Sequence, residues 1–197
     1  MDESVLRGMA KWPNVPAVYG WLTLDRRGHW LIKGEDIANP AVTAFISRNY
    51  EHDEQGRWFF QNGPQRVYVA PEYTPIVYRV TGEKSPLEIE SHMGKKVGSV
   101  SGAWIDETGA LLIATEQGIG LVDDRDLERL LSAFIDANGN ALPETALDEL
   151  MQLLQEGRSA PVWLKFGEAN VKIEALRSAE APARFGFDAA PAQPGEA

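Results

Sequence analysis

The chain has 197 residues, 44% of them apolar, which is enough for one large domain or two small ones with a hydrophobic core. It contains no cysteine, so disulfides, thiolate nucleophiles and cysteine-ligated metal sites are excluded, and a reducing cytoplasm is the best fit. The net charge of −10 is concentrated in residues 99–197, which carry 7 basic and 17 acidic side chains, whereas residues 1–98 carry 12 basic and 12 acidic side chains. Because an acidic surface repels phosphate groups, this second half argues against a nucleic-acid partner.

Residues 1–18 are predicted to be an N-terminal extension, either extended or loosely helical at first and then stiffened by Pro13 and Pro16. The extension lacks the basic start and the apolar run of a signal peptide. No stretch of the chain approaches the roughly 20 apolar residues of a membrane span. We therefore expect a cytoplasmic protein with no membrane partner.

Residues 19–80 are predicted to form repeat unit one. Apolar residues on either side of a polar turn predict a β-hairpin over residues 19–32. Asn39 followed by proline is a good helix start, and the apolar residues that follow fall on one face of a short helix. A second hairpin is predicted over residues 57–69, and residues 76–80 add a further strand.

Residues 81–98 combine glycines, a proline and mixed charges, which is typical of a connection between units. Residues 99–187 then repeat the plan of hairpin, helix and hairpin as repeat unit two. An extra helix with one apolar stripe is predicted at residues 143–156. Residues 188–197 have no apolar anchor, so we expect a disordered tail.

The repeat is indicated by residues that match at a constant spacing. Four pairs lie 81 positions apart: Leu24 and Ile105, Asp25 and Asp106, Gly28 and Gly109, Ile32 and Ile113. Trp58 and Trp163 lie 105 positions apart, and an inserted helix explains the longer spacing. The predicted fold class is α+β, with two tandem copies of a β-hairpin–helix–β-hairpin unit, antiparallel sheets and an extra helix in the second copy.

The pattern also resembles that of a known group of proteins. The matching motifs are Asp25-x-x-Gly28-x-Trp30-x-x-x-Gly34-x-x-Ile37, Gly56-Arg57-Trp58 and Glu72-Tyr73-Thr74-Pro75. They are similar to bacterial families known only as domains of unknown function. The resemblance covers residues 19–187 and implies a duplicated α+β protein with a suggested role in signal transduction. It implies no catalytic residues, and the helix at 143–156 departs from the family pattern.

No catalytic constellation is visible in the sequence. The three histidines, His29, His52 and His92, lack the spacing of a metal site, and Glu51 to Glu54 are consecutive residues that point in different directions. The glycines near Gly118 do not form a dinucleotide fingerprint. We therefore predict no metal, no cofactor and no catalytic residue.

Unit one is unusually rich in aromatic residues and arginines. Most of these aromatics should be core residues, but strands bury alternate positions, so some must face outward. The outward set is expected to bind a planar or anionic small ligand, or to form an aromatic-rich protein interface. The candidate binding residues are Trp21, His29, Trp30, Arg66, Tyr68 and Tyr73.

The leading hypothesis is a non-enzymatic module that binds a small ligand or a protein partner through this face. The alternative is a hydrolase-like enzyme whose site is assembled from His29 or His52 with loop carboxylates. A third hypothesis is a homodimer joined through an edge strand, because open hairpin sheets leave edges that must be covered.

Overall fold

The structure of the protein is a computed structural model that describes residues 1–12, 15–82 and 87–193. It divides into two compact units. The first unit comprises Met1–Pro75 and Pro182–Ala197, and the second comprises Ile76–Ala181. Both combine helices with a β-sheet, which confirms the predicted α+β class. Parts of the predicted connection (residues 83–86) and tail (residues 194–197) lie outside the described residues.

The first unit contains a six-stranded sheet in the order β3-β2-β1-β6-β5-β4. Its elements are α1 (Glu3–Lys11), β1 (Val18–Leu24), β2 (Trp30–Ile32), β3 (Glu35–Asp36), α2 (Pro40–Arg48), β4 (Tyr50–His52), β5 (Trp58–Asn62) and β6 (Gln65–Pro71). The α5 helix (Ala181–Phe185) contributes all but its first residue to this unit. The Asn39 side chain caps α2 by accepting from two backbone N–H groups, with proline at the first helical position, as the sequence predicted.

The second unit contains an eight-stranded sheet in the order β12-β13-β14-β9-β10-β11-β7-β8. Its elements are β7 (Ile76–Val80), β8 (Ile89–Ser91), β9 (Val100–Ile105), β10 (Leu111–Thr115), β11 (Gly118–Val122), α3 (Leu127–Leu131), β12 (Phe134–Ile135), α4 (Glu144–Gln155), β13 (Trp163–Phe166) and β14 (Ala169–Ala175). A 3₁₀ turn at Asp124–Asp126 precedes α3. The extra helix predicted at residues 143–156 is therefore confirmed as α4.

The sheets are mixed, and the prediction of antiparallel sheets was wrong. β1 pairs with β6 in parallel, and β9 pairs with β14 in parallel. In both cases the paired strands are the first and last of a long segment that contains a helix, and such a crossover is what parallel pairing requires. Sequence periodicity reveals each hairpin but contains no signal for this long-range pairing.

Two short strands that were not predicted lie on either side of α2. β3 has two residues and β4 has three, and both pair with a neighbouring strand. Strands this short give no recognisable period. Phe134 and Ile135 form a third short strand, β12, because they pair with Leu164 and Trp163 of β13.

Two predicted boundaries differ from the observed units. Residues 76–80 belong to the second unit, since β7 pairs with β11 and β8 there. The described part of the predicted tail is anchored to the first unit: the Asp188 N–H donates to the Gly56 carbonyl at 3.0 Å, and Pro191 is buried. A Cβ on Gly56 would lie 2.1 Å from the Gly186 oxygen, so this anchoring depends on the glycine.

The same aspartate turn occurs four times. The turns are Asp25–Gly28, Asp53–Gly56, Asp106–Gly109 and Asp136–Gly139. In each, the aspartate Oδ1 accepts from two backbone N–H groups, and the glycine N–H donates to the aspartate carbonyl. The glycine φ lies between 74° and 84° in all four turns, where a side chain would be strained. Asp136–Gly139 is thus a turn that follows β12 directly.

Candidate functional site

One face of the first sheet carries a cluster that we call the arginine–aromatic layer: Tyr19, Arg57, Phe59, Arg66 and Tyr68. Phe59 of β5 and Tyr68 of β6 are register partners, so their side chains share a face of the sheet. Arg66 lies two residues before Tyr68 on the same strand and therefore on the same face. Tyr19 comes from β1, the parallel neighbour of β6.

Rings and guanidinium groups stack closely in this layer. The Tyr19 and Tyr68 rings lie 4.5 Å apart with an angle of 11° between their planes. The guanidinium carbon of Arg57 lies 4.7 Å from the Tyr68 centroid, and that of Arg66 lies 4.4 Å from the Phe59 centroid. Phe59 and Tyr68 are buried, whereas Arg66 is exposed and Tyr19 is half-buried. The layer is thus an aromatic floor with a cation on its open side.

Asp53 holds the layer in place from its turn. Its Oδ2 accepts from Arg57 Nε at 2.8 Å and from the Tyr68 hydroxyl at 3.1 Å. Burial alone would raise the pKa of Asp53, but these hydrogen bonds and those from backbone N–H groups lower it. Burial raises the pKa of Tyr68. The Asp53 carboxylate is therefore charged at neutral pH and fixes the Arg57 guanidinium on the ring.

The structure separates the six predicted binding residues. Trp30 and Tyr73 are core residues, 2% and 8% exposed, so the expectation that they face outward was wrong. Tyr68 is 3% exposed and lies in the floor of the layer. Strand alternation could not place them, because Tyr73 lies in the bend between β6 and β7 and the strand residues Trp30 and Tyr68 are covered by their neighbours. Arg66 alone of the six is an exposed member of the layer.

The other two predicted residues are exposed but lie elsewhere. Trp21 is 52% exposed and lies under Lys33 Nζ, which is 4.1 Å from the indole centroid. His29 Nδ1 lies 3.0 Å from Asp25 Oδ2 within a single turn. The layer also contains Tyr19, Arg57 and Phe59, and Asp53 holds it in place; none of these four is among the predicted binding residues. The recurring Asp-x-x-Gly turn was the signal that could have pointed to Asp53.

A second charged cluster lies in the second unit, where two buried aspartates hold three half-exposed arginines. Arg125 donates to both oxygens of Asp123, at 2.9 and 2.6 Å, and Arg79 Nε lies 3.6 Å from Asp123 Oδ2. Asp126 accepts from the Val80 N–H at 3.0 Å and pairs with Arg129 at 3.3 Å. The acidic residues Asp124 and Glu128 adjoin the cluster in sequence, so it offers no surplus positive charge to an anion. We interpret it as structural.

The Asp123 pair makes stability depend on pH. Burial alone would raise the pKa of Asp123, but the Arg125 hydrogen bonds and the charge of Arg79 lower it from 3.8 to about 2. A lowered pKa stabilises the folded state above pH 3.8, and this contribution is lost as the pH falls towards 2. We expect Asp123→Asn to be less stable than the wild type at neutral pH, with a difference that shrinks below pH 4.

Urea unfolding midpoints across this pH range measure the difference. Asp148→Asn, which changes an exposed carboxylate of α4, is the matched control and should stay close to the wild type. A difference between Asp123→Asn and the wild type that is constant down to pH 2 would contradict the assignment.

The described residues contain neither a metal-binding cluster nor a membrane-spanning helix. Among them, no group of three or more His, Cys, Asp or Glu side chains could hold a metal ion. Across the same ranges of the chain, no helix has the length and apolarity to cross a membrane.

A family model described as a protein of unknown function (DUF2946) matches residues 1–192. The chain belongs to this family. No curated protein matches the chain. The DUF2946 protein is similar in fold to a DUF1285 family protein from Silicibacter pomeroyi DSS-3, with a TM-score of 0.54 and 18% identity over 83% of this chain and 85% of that one. A DUF1285 family protein from Shewanella baltica OS155 also matches, with a TM-score of 0.39 and 15% identity over 55% of this chain and 87% of that one.

These comparisons place the DUF2946 protein among uncharacterised families, as the resemblance of its motifs implied. The likeness to the Silicibacter protein shows the fold alone. None of the comparisons links the family to signal transduction.

Proposed function

We propose that the DUF2946 protein is a non-enzymatic cytoplasmic binding module that recognises an anionic group, on a small ligand or a protein partner, at the arginine–aromatic layer. The observation that supports this proposal is the exposed Arg66 guanidinium, stacked 4.4 Å from the buried Phe59 ring. A stacked guanidinium keeps its N–H groups in a plane and loses little freedom when it binds a carboxylate or a phosphate.

The surroundings of Arg66 fit a planar anion better than a spherical one. Tyr19 is half-buried and lies flat against Tyr68, so the layer offers an aromatic surface beside the cation. Arg57 has few N–H groups left for a ligand, because its Nε and one terminal nitrogen already contact the Asp53 carboxylate. Recognition therefore depends on Arg66 for charge and on Tyr19 for stacking.

Benzoate, inorganic phosphate and hexaglutamate are suitable probes, followed by ¹⁵N–¹H NMR on the full chain. We expect benzoate to shift the backbone signals of Tyr19, Arg66 and Tyr68. Arg66→Ala should weaken this binding by about 10-fold or more, since a hydrogen bond between charged groups contributes about 1.5–3 kcal/mol. Arg7→Ala removes an exposed arginine of α1 and should leave the affinity unchanged.

The proposal is wrong if none of the three probes shifts these signals, or if Arg66→Ala binds them as the wild type does. Hexaglutamate binding without benzoate binding would favour an acidic protein partner over a small planar ligand.

The alternative, an enzyme, has one observation in its favour: the pair of His29 and Asp25, which are 49% and 21% exposed. Both residues come from one turn, and Asp25 is the loop carboxylate that His29 meets. The contacts of His29 with other described residues add no serine or threonine nucleophile. The pair therefore orients a histidine in solvent, and the binding module is the better-supported proposal.

We also infer that the two units are copies of one ancestral unit. The order β3-β2-β1-β6-β5-β4 in the first sheet has its counterpart in β11-β10-β9-β14-β13-β12 in the second. A parallel pair lies at the centre of both series. The four aspartate turns follow β1 and β4 in the first unit and β9 and β12 in the second, which are the first and fourth strands of each series in chain order. In this view α4 is an insertion between the fourth and fifth strands of the second copy, and β7 and β8 are additions at its edge.

A further inference from the structure

The second unit has an open sheet face formed by β13, β14 and β9. Trp163 is the register partner of Lys172, and Trp104 is the register partner of Glu174, so the side chains of each pair share a face. Alternation along β14 and β9 adds Asn170 to the same face. The opposite side of these strands belongs to the core, where Ala103 and Ile173 are buried. By contrast, Lys172, Glu174 and Asn170 are exposed, and both tryptophans are half-buried.

Trp104 is held as a fixed platform on this face. Its indole lies across Gly102, where a Cβ would be only 2.2 Å from the ring atom Cη2. Its Nε1 donates to Glu174 Oε2 at 3.1 Å. The missing side chain at Gly102 and the Glu174 hydrogen bond together fix the ring along the sheet surface, which presents an apolar plane bordered by polar groups.

Two adjoining depressions lie along this platform. One has a volume of about 300 Å³ and is lined by Trp104, Asn170, Lys172 and Glu174 among others. The second has a volume of about 280 Å³ and shares Lys172 and Glu174 with the first. Each is at the small end of ligand sites. The two depressions meet at Lys172 and Glu174, and we call them together the groove; Trp163 lies beside the groove without lining either depression.

We propose that this groove binds an oligosaccharide. A sugar ring has an apolar C–H face that packs on an indole and a rim of hydroxyls that both donate and accept hydrogen bonds. The groove supplies both requirements. Trp104 offers an indole for the apolar face, and the Glu174 carboxylate, the Lys172 ammonium and the Asn170 amide offer hydrogen-bonding groups for the hydroxyls. The opposite charges of Glu174 and Lys172 favour a neutral polar ligand over an anion or a cation.

The spacing of the two tryptophans fits a ligand of more than one sugar ring. The register of β14 with β9 and β13 places Gly102, under the Trp104 ring, in one row with Lys172 and Trp163. Neighbouring strands lie about 4.8 Å apart, so the outer positions of this row are about 10 Å apart. This distance is close to the length of a disaccharide unit, so a sugar chain that stacks on Trp104 in the groove would extend as far as Trp163 beside it.

NMR of the six tryptophan indole N–H signals tests the site on the full chain. The probes are cellotetraose, maltotetraose and chitotetraose, with glucose as the single-ring comparison. We expect at least one tetrasaccharide to shift the Trp104 and Trp163 signals and to leave those of the buried Trp30 and Trp58 in place. Glucose should bind at least about 10-fold more weakly, because it can occupy only one platform.

Two variants separate binding from folding. Trp104→Ala removes the platform, and Lys172→Ala changes only an exposed side chain, so the second variant tests the groove even if the first fails to fold. Both should weaken tetrasaccharide binding by about 10-fold. Trp21→Ala, an exposed tryptophan of the first unit, should bind as the wild type does. The proposal is overturned if no tetrasaccharide shifts the Trp104 and Trp163 signals, if Lys172→Ala binds unchanged, or if benzoate alone occupies the groove.

Discussion

Trp30→Ala is expected to lower the free energy of unfolding of the first unit by about 3–5 kcal/mol. The indole is 2% exposed, its Nε1 donates to Ser47 Oγ at 3.0 Å, and its ring meets the edge of Tyr50 at 4.9 Å. The substitution removes the buried surface and leaves a cavity, and it also deprives the buried Ser47 hydroxyl of its partner.

Urea unfolding followed by near-ultraviolet circular dichroism measures this loss. Trp21→Ala is the matched control, because that indole is 52% exposed and should cost less than about 1 kcal/mol. The comparison also distinguishes a core role of Trp30 from a role as a ligand contact. A ligand-contact residue would lose binding with little loss of stability, so a Trp30→Ala protein as stable as Trp21→Ala would contradict its placement in the core.

Gly120→Ala is expected to destabilise the second unit by about 1–3 kcal/mol or more, although only one methyl group is added. A Cβ at this position would lie 2.4 Å from Tyr78 Cε2 and 2.8 Å from the Ile76 carbonyl oxygen. The Tyr78 ring cannot move freely, since its hydroxyl bonds Thr115 Oγ1 at 2.7 Å and the Gly118 carbonyl at 3.0 Å. The methyl group must therefore separate β11 from β7 or displace a buried ring.

The melting temperature should fall by about 2–4 °C per kcal/mol for a chain of this size. Gly98→Ala is the control, because a Cβ there meets only the Glu116 carboxylate, at an ordinary 3.7 Å. Tyr78→Leu makes room for the methyl group, so the double variant should lose less than the sum of the two single losses. Additive losses would show that the contact with Tyr78 is not the cause.

The candidate site was only partly predictable from the sequence. The enrichment of unit one in aromatics and arginines pointed to the region that carries the arginine–aromatic layer, and Arg66 is an exposed member of that layer. The pattern could not show which aromatics are covered, because burial on a strand depends on what packs over each face. Trp30 and Tyr73 were therefore assigned wrongly, and Tyr19 was missed because its partner Tyr68 lies 49 positions away.

Local chemistry, by itself, determined the hairpin turns, the cap of α2, the α4 helix and the α+β class, because each depends on residues close together in the chain. The turn glycines could be predicted as well, because a positive φ is a requirement of the local backbone. Only the tertiary structure decided the parallel pairs, the assignment of β7 to the second unit and the anchoring of the tail at Gly56. These features join residues far apart in sequence, and their free energy comes from long-range pairing and packing that no local pattern encodes.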